Sequence, residues 1–375
     1  MATASGRGRR AGDAVVAPPA GSGPGASATG PACPVPLPEG ERVLLAHGGG
    51  GRLTRELVER LFVPAFRNPA LSALNDAALV GPVLGRLAVT TDAFVVQPLF
   101  FPGGDIGTLA VTGTVNDLAM AGARPLWLTL GFVLEEGLPL ADLERVVGSI
   151  ARTAAAAGVA VIAGDTKVVE RGRGDGLFIT SAGVGVVAAP RLVAPSEVLP
   201  GDAVLVSGPV GQHGIAVLAV REGLAFSRPI VSDCASVVAP VHALLDAGIT
   251  VHCLRDPTRG GLATVLNEIA VQARCEIAVH ERQVPVSDEV AGACEVLGLD
   301  PLYVACEGRF VAFVAPGDAD RALALLRARR DTAGAARIGT VRAAGGTAGL
   351  VTLTTAIGGQ RVLDLLSGEQ LPRIC

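Results

Sequence analysis

The chain of 375 residues has few aromatic residues and no strong excess of charge of either sign. Phe, Trp and Tyr make up 3% of the sequence, and the formal net charge at pH 7 is −4. Proteins that bind nucleic acid generally present a cationic surface to the phosphates or aromatic side chains on which bases stack. We therefore expect no nucleic-acid partner.

Long apolar runs are also missing. Glycine, proline or charged residues interrupt each stretch before it reaches the roughly 20 residues that span a bilayer. The basic start from Arg7 to Arg10 leads into Pro, Gly, Ala and Ser instead of the apolar segment of a signal peptide. The seven cysteines form no C-x-x-C pair, and without a sign of export we expect reduced thiols. The sequence thus predicts a cytoplasmic protein with no membrane partner.

The order of apolar patterns along the chain predicts its organisation. Residues 1–40 are of low complexity and rich in Pro and Gly, which is typical of disorder. From Glu41 onward, β-branched apolar runs alternate with helical patterns, which indicates an α+β or mixed α/β fold. Three prolines within residues 190–201 mark the best candidate for a domain boundary. The predicted parts are a disordered extension (1–40), a first domain (41–195), a second α/β domain (196–359) and a mobile tail (360–375).

Four aspartates are predicted to lie at strand ends or helix starts, each beside Thr, Asn, Lys or Gly-Gly: Asp92, Asp117, Asp165 and Asp256. An aspartate just past a buried strand projects into a cleft from a rigid base, and several such oxygens form the site that Mg²⁺ prefers. Taken singly, each aspartate is more often a helix cap or a turn former. Taken together, the four favour a site for metal and phosphate.

Two cations and a glycine run extend this hypothesis. Lys167 and Arg259 closely follow two of the aspartates, where they could neutralise phosphate oxygens, or could equally form surface ion pairs. Gly48, Gly49, Gly50 and Gly51 leave backbone N–H groups open to an anion, and a helix is predicted to follow them. The run is neither a Walker A loop nor a G-x-G-x-x-G fingerprint, and by itself it could be a hinge.

Three further residues are candidates for chemistry. His213 lies in a glycine-rich turn that could face a ligand, and Glu307, just before an apolar strand, could be a base if it is desolvated. The last residue, Cys375, is a thiol on a predicted tail, where Arg373 would favour the thiolate. A terminal cysteine could also be incidental.

Taken together, the sequence motifs resemble those of a known protein family, which no single residue indicates. In order and at full-length spacing, from about residue 41 to the end, the chain contains HGGGGR, GTVNDLAM, GDTKVVERG, GQHG, VSDCA, RDPTRGG, CEGR and a terminal PRIC. This set resembles the HypE family of hydrogenase maturation factors, within the larger group of ATP-using enzymes similar to aminoimidazole ribonucleotide synthetase (PurM-like).

The resemblance implies a fold, a reaction and partners. The fold is a two-domain PurM-like α+β fold, with an N-terminal ATP-binding domain whose sheet pairs with its twin in a homodimer and a C-terminal α/β domain. In the family, a HypF-like carbamoyltransferase places a carbamoyl group on the C-terminal thiol, here Cys375. ATP, with Mg²⁺, then phosphorylates the amide oxygen, and loss of phosphate leaves a protein thiocyanate. Its cyanide passes to the iron of a [NiFe] hydrogenase on a HypC/HypD-like scaffold.

The resemblance also assigns roles to residues. It implies that Asp92, Asp117 and Asp256 hold the metal. It places Glu307 and Lys167 near the thiocarbamate. The nucleotide and phosphate positions that it implies are Gly48, Gly49, Gly50, Gly51, Asn116, Asp165, His213, Thr258 and Arg259. One departure is Cys306, since the family motif often reads Asn-Glu-Gly there, and a thiol is a weaker hydrogen-bonding group than an amide.

Two alternatives remain at this point. One is another ATP-dependent kinase or synthetase of the same superfamily, such as thiamine-monophosphate kinase or selenophosphate synthetase, which has no need of a terminal PRIC. The other is a non-catalytic nucleotide-binding scaffold whose tail docks partners.

Overall fold

A computed structural model of the chain describes residues 42–226, 228–345 and 349–365. The predicted extension, 1–40, and Cys375 lie outside the described residues. A 3-10 turn (Leu45–His47) precedes the glycine run, and directly after the run come α1 (Arg52–Leu57), a π-helical turn (Val58–Phe62), α2 (Val63–Phe66) and α3 (Pro69–Ser72). The helix predicted after the glycines is thus present.

A four-stranded sheet forms the first layer. The strands of this part of the chain are β1 (Leu87–Phe94), the short β2 (Phe100–Phe101) and β3 (Gly104–Asp105), β4 (Ala123–Glu135), β5 (Ala160–Val169) and β6 (Leu177–Val187). The sheet has the order β1-β6-β4-β5, in which β4 and β5 are parallel and the other neighbours antiparallel. Strands β2 and β3 pair separately as a short ribbon.

Two helices, α4 (Ile106–Met120) and α5 (Leu140–Ala157), pack on one face of this sheet. Asp105 caps α4, because its Oδ1 accepts the N–H of Thr108 at 2.8 Å. Small residues let α4 approach the sheet closely. A Cβ added at Gly113 would lie 2.8 Å from the ring of Phe94 on β1. The helix therefore brings its own side chains next to those of the edge strand.

The other face of the first sheet carries apolar side chains that remain open. Val89, Val184 and Trp127 form a row across β1, β6 and β4, since Val89 pairs with Val184 and Val184 with Trp127. Val89 is 71% exposed, and Leu87, two residues earlier on the same face, is 51% exposed. An apolar sheet face of this kind is typical of a surface that another element or molecule covers.

A seven-stranded sheet forms the second layer. Its strands are β7 (Ala203–Val206), β8 (Val251–Arg255), β9 (Glu276–His280), β10 (Val311–Val314), β11 (Ala336–Arg342), β12 (Leu350–Thr354) and β13 (Gln360–Val362). Their order is β13-β12-β9-β11-β7-β10-β8, and only β9 and β12 are parallel neighbours.

Helices bury both faces of the second sheet. The helices of this part are α6 (Gln212–Arg221), α7 (Val238–Asp246), α8 (Gly261–Ala273), α9 (Asp288–Leu297) and α10 (Ala319–Arg327). Along β7, Val204 and Val206 belong to the core that includes α8, whereas Ala203 and Leu205 belong to the core that includes α7 and α10. The central strands are consequently apolar on both sides, which explains their uninterrupted apolar sequences.

Several details differ from the predicted elements. The apolar run Val159–Ala163 predicts a strand that ends at Ala163. The structure instead continues β5 to Val169, so Asp165 and Lys167 lie within a strand. Asp92 likewise lies inside β1, and Asp117 lies near the end of α4. Residues 360–362 form β13, so the first part of the predicted tail belongs to the second sheet.

The division at residue 195 falls between the two sheets and stays a prediction. No helix in the described ranges combines the length and the apolar character needed to cross a membrane.

Candidate functional site

Three of the four predicted aspartates come together in one cleft. Asp92, Asp117 and Asp256 line a cavity of about 180 Å³, and its other walls include Thr258, Arg259, Glu307, Thr91, Phe94 and Gly113. The three carboxylates come from parts of the chain that are far apart in sequence. Only the fold brings them to one place.

Each carboxylate is held by its own element. Asp92 lies on the edge strand β1, and its Oδ1 accepts the N–H of Ala93 at 2.8 Å. Asp117 lies in the last turn of α4, where its Oδ2 accepts a hydrogen bond from the Thr90 hydroxyl at 2.7 Å. Asp256 directly follows β8. It is therefore the one member of the trio that sits just past a buried strand, as predicted.

The electrostatics of the cleft indicate uncompensated negative charge. Burial raises the pKa of Asp92, and burial together with repulsion from Asp92 raises the pKa of Asp117. Burial and repulsion from Asp117 raise the pKa of Asp256 to about 7. Arg259 faces these groups and lowers the pKa of Asp92 and Asp117, but less strongly than burial raises them. A bound cation would relieve this repulsion.

The donor set fits a hard cation such as Mg²⁺. Among the described residues, no group of three or more His, Cys, Asp and Glu side chains is already drawn together as a metal site. The trio nevertheless offers carboxylate oxygens of raised pKa around one cavity, and Mg²⁺ is usually bound by a few carboxylates together with substrate phosphates and water. Spaced carboxylates therefore suit a metal that arrives with a phosphate.

Thr258 and Arg259 lie on the loop between β8 and α8. Two consecutive glycines, Gly260 and Gly261, have φ angles of +74° and +63°, a conformation that favours glycine. A Cβ at Gly261 would lie 2.7 Å from the carbonyl oxygens of Leu302 and Val304. The loop is thus packed directly against the segment that leads to Glu307.

Glu307 lines the same cleft and is 4% exposed. Its backbone N–H donates to Asp233 Oδ1 at 3.2 Å. Its neighbour Cys306 is fully buried among the apolar residues of the second sheet, and the Cys306 sulfur accepts the N–H of Gly211 at 3.2 Å. The departure from the family motif at Cys306 consequently faces the core and does not line the cleft.

Asn116 and His213 are buried away from the cleft lining. Asn116 is 2% exposed, and its side chain bonds to the backbone of Ala235 and Val237. His213 is completely buried, with its Nδ1 2.9 Å from the Ser232 hydroxyl.

The fourth aspartate lies elsewhere, with Lys167 and the glycine run. Asp165 and Lys167 are on β5, where their side chains are 72% and 65% exposed and approach to 3.5 Å. Gly48 packs on the same strand, since a Cβ there would collide with the backbone nitrogen of Val168. Around Gly51, by contrast, an added Cβ would meet no atom within 4 Å. The glycine run and the GDTK segment are therefore neighbours, and neither lines the acidic cleft.

Next to this second group lies a mainly apolar cavity of about 120 Å³. Its lining includes Phe62, Phe66 and Phe132, with Asp165 and Thr166 among its polar residues. The structure thus divides the predicted site into the acidic cleft and a separate region along β5.

Cys375 lies outside the described residues, but Leu363 and Asp364, near the end of the described part, are held by contacts with the second domain. Leu363 is completely buried, and its carbonyl accepts a hydrogen bond from Asn267 Nδ2 at 2.9 Å. The hydroxyl of Tyr303, the only tyrosine of the chain, donates to the carbonyl of Asp364 at 2.7 Å. Tyr303 lies four residues before Glu307. The same segment therefore contacts Asp364, near the start of the predicted tail, and carries the candidate base.

Sequence reasoning missed some residues of the cleft. Thr90 holds Asp117, and Gly113 makes room for Phe94. The sequence TTD supplied a signal for Thr90, because a hydroxyl two residues from an aspartate on a strand shares its face. Asp233, whose Oδ1 accepts the N–H of Glu307, lies in the motif VSDCA, but that motif assigned it no role.

Comparison with known proteins identifies the family of the chain. The chain matches the family models "AIR synthase related protein, N-terminal domain" over residues 74–187 and "AIR synthase related protein, C-terminal domain" over residues 200–351. It is 52% identical over 338 residues to the carbamoyl dehydratase HypE of Rhodobacter capsulatus, covering 89% of this chain and 98% of that protein.

Solved structures of similar proteins have the same fold. A crystal structure of the hydrogenase maturation protein HypE in complex with ATP is 49% identical, with a TM-score of 0.86, over 88% of this chain and 99% of that one. A HypE chain from a crystal structure of a HypE–HypF complex is 44% identical, with a TM-score of 0.73, over 83% and 99%. The two-domain PurM-like fold is thereby confirmed, and the chain belongs to the carbamoyl dehydratase HypE family.

Proposed function

We propose that this chain uses ATP to remove water from a carbamoyl group on the sulfur of Cys375, which leaves a thiocyanate. The cyanide then serves as a ligand for the iron of a [NiFe] hydrogenase. The observation that carries this proposal is the acidic cleft, in which three carboxylates, Arg259 and Glu307 surround one cavity. The relative from Rhodobacter capsulatus, named a carbamoyl dehydratase, supports it over nearly its whole length.

The reaction needs activation of a poor leaving group. The carbamoyl oxygen attacks the γ-phosphorus of ATP, ADP leaves, and the nitrogen gives up one proton. Loss of the second N–H proton then expels phosphate and forms the C≡N bond. Arg259 and Thr258, which line the cleft, would bind the transferring phosphoryl oxygens.

Glu307 is the candidate base for the nitrogen protons. It is 4% exposed and lines the cleft, and a carboxylate within hydrogen-bond reach of the carbamoyl nitrogen can act as a general base. Burial also excludes water, which would otherwise hydrolyse the phosphorylated intermediate. Lys167 is the second candidate. Its amine lies on the exposed side of β5, 3.5 Å from Asp165, so the loaded tail would have to reach that strand.

The binding sites for the nucleotide and the metal are assigned from the family resemblance and from the residues that line the cleft. A HypE structure contains ATP, and we assign the nucleotide of this chain to Gly48, Gly49, Gly50, Gly51, Asp165, Thr258 and Arg259. Asp92, Asp117 and Asp256 would hold Mg²⁺, whose chemistry is to neutralise phosphate charge. His213, also assigned to the nucleotide by resemblance, would act from behind the cleft, through Ser232.

The domain assignment follows from the sheets. We assign 41–195 to the nucleotide-binding domain and 196–359 to the second domain, because the two family models end and begin on either side of this boundary. The tail that presents Cys375 would then start from β13, on the second sheet.

We also propose a homodimer, formed through the open face of the first sheet. The row of Val89, Val184 and Trp127, with Val89 71% exposed, supports it, because an apolar face of this kind is costly to leave in water. A protomer mass by light scattering at micromolar concentration would contradict it.

The proposed partners are a HypF-like carbamoyltransferase and a HypC/HypD-like iron scaffold. A relative was crystallised in a HypE–HypF complex, which supports the first of these. We place the chain in the cytoplasm. The five described cysteines are free thiols, in keeping with a reducing compartment.

The test uses intact-mass analysis with carbamoyl phosphate, ATP, Mg²⁺ and the transferase, on the parent protein and on Cys375→Ser. We expect a carbamoyl adduct on the parent that loses the mass of one water only when ATP is present. Cys375→Ser should form neither species. ATP-dependent phosphorylation of a free metabolite by Cys375→Ser would favour a small-molecule kinase, and partner binding without any adduct would favour a scaffold.

A further inference from the structure

The Asn116 side chain is occupied by backbone groups of a neighbouring loop. Its Oδ1 accepts the N–H of Val237 at 2.8 Å, and its Nδ2 donates to the carbonyl of Ala235 at 3.0 Å. The residue is 2% exposed on helix α4 and does not line the acidic cleft, although Asp117, the next residue, does. A nucleotide would therefore have to displace these bonds in order to bind Asn116.

The same amide also reaches the backbone of Glu307. Asn116 Nδ2 lies 3.4 Å from the Glu307 carbonyl oxygen, and the N–H of Ala235 donates to that oxygen, also at 3.4 Å. These bonds are long, but they converge on one atom. Helix α4 belongs to the part of the chain that carries the first sheet, and Glu307 to the part that carries the second.

The backbone N–H of Glu307 is bound by Asp233, which lies on the same loop as Ala235 and Val237, the partners of Asn116. Asp233 Oδ1 accepts the Glu307 N–H at 3.2 Å, and Asp233 Oδ2 lies 3.6 Å from Arg309 Nε. Asp233 is 7% exposed, so its position is set by packing. A Cβ at Gly308 would collide with the backbone oxygen of Asp233, so only glycine lets the two segments lie this close.

From these contacts we infer that Asn116 and Asp233 are positioning residues, which fix the backbone of Glu307, and that Asn116 is not a nucleotide ligand. Asn116 holds the loop at Ala235 and Val237, and Asp233 on that loop holds the amide of Glu307. The inference rests on the proposed function, in which Glu307 takes a proton from the carbamoyl nitrogen. It replaces the nucleotide role that resemblance gives to Asn116.

The test separates nucleotide binding from dehydration in the full-length protein. Asn116→Ala and Asp233→Ala remove the two contacts. Asp233→Asn keeps an acceptor for the Glu307 N–H. Thr332→Val is the matched control, because it removes a buried hydrogen bond to the carbonyl of Leu326, in which Asn116, Asp233 and Glu307 take no part. ATP affinity is measured by calorimetry with Mg²⁺, and dehydration as a single turnover of carbamoyl-loaded protein by intact mass.

We expect both alanine variants to keep ATP affinity within about threefold of the parent. Their dehydration should slow by about 10- to 100-fold, the scale of a misplaced catalytic group. Asp233→Asn should restore most of the rate, and Thr332→Val should leave it unchanged. A purely structural role would lower ATP affinity and dehydration together.

Three results would overturn the inference. The first is a loss of ATP affinity in Asn116→Ala, which would make Asn116 a nucleotide ligand. The second is an unchanged dehydration rate in the alanine variants of an active parent, which would leave the proposed function standing. The third result applies if Asn116→Ala does not fold. Equal dehydration rates in Asp233→Ala and Asp233→Asn would then overturn the inference. A parent that never dehydrates would refute the proposed function itself.

Discussion

Replacing Asp256 by Asn should stabilise the nucleotide-free protein while it removes a proposed metal ligand. The pKa of Asp256 is raised to about 7 by burial and by repulsion from Asp117. In an unfolded chain the pKa of an aspartate is about 3.9. The folded state therefore binds the Asp256 proton more tightly, and its stability falls as pH rises from about 4 to about 7. Above that range the full cost of the buried charge is present.

The size of the effect follows from this difference in pKa. At about 1.36 kcal/mol per pKa unit, a fully enclosed carboxylate would cost about 4 kcal/mol. The cleft opens to solvent, whose screening reduces this cost, and we expect about 1–2 kcal/mol. Asp256→Asn should thus gain about 1–2 kcal/mol over the parent at about pH 8, which corresponds to about 1–3 °C in Tm for a chain of 375 residues. At about pH 5, where folded Asp256 is protonated, most of this gain should vanish.

The assay is urea unfolding of both proteins without nucleotide at about pH 5, 6 and 8. Added Mg²⁺ and ATP should stabilise the parent by mass action and the variant far less. The reasoning is refuted if Asp256→Asn is destabilised equally at every pH, or if the ligands stabilise both proteins alike.

Three more predictions test other parts of the site. Glu307→Gln should accept the carbamoyl group but stall before loss of water, as seen by intact mass, and undiminished dehydration would assign the base elsewhere. Gly48→Ala should lower stability by about 1–3 kcal/mol, because its Cβ meets the backbone of Val168. Gly51→Ala, with open space around its Cβ, should leave Tm unchanged, and an equal loss of Tm in the two variants would contradict the packing argument. Tyr303→Phe should slow dehydration by about 2- to 10-fold, the scale of one hydrogen bond, with ATP affinity unchanged. A dehydration rate equal to that of the parent would show that the hydrogen bond from Tyr303 to Asp364 is not needed.

Much of the fold could be predicted from the sequence, because its elements have strong local patterns. The small residues of Asp105–Ala121 predict a helix, which is found at Ile106–Met120. The apolar runs Pro125–Leu134 and Ala203–Ser207 predict strands, which are found as β4 and β7. Strand β9 (Glu276–His280) and helix α9 (Asp288–Leu297) were missed. Both are short, and they fall in one stretch with mixed periodicity, where the Ser287 cap was the best available signal.

The candidate site was only partly predictable, since it depends on contacts between distant segments. The aspartate trio was found through its sequence neighbours, and the structure joins it in one cleft. The placement of Asp165 apart from that trio, on β5 beside the glycine run, depends on how far the strand extends. The contacts of Asn116 and Asp233 with Glu307 link residues 74 or more positions apart, which no local pattern encodes.

The fate of the carbamoyl oxygen tests the central claim most directly. The parent protein is loaded at Cys375 with a carbamoyl group that carries a heavy oxygen isotope, and a single turnover is run with unlabelled ATP. If ATP phosphorylates the amide oxygen, the heavy oxygen must appear in inorganic phosphate in proportion to the thiocyanate formed. Thiocyanate formed with unlabelled phosphate, and with the heavy oxygen released as water, would contradict the account.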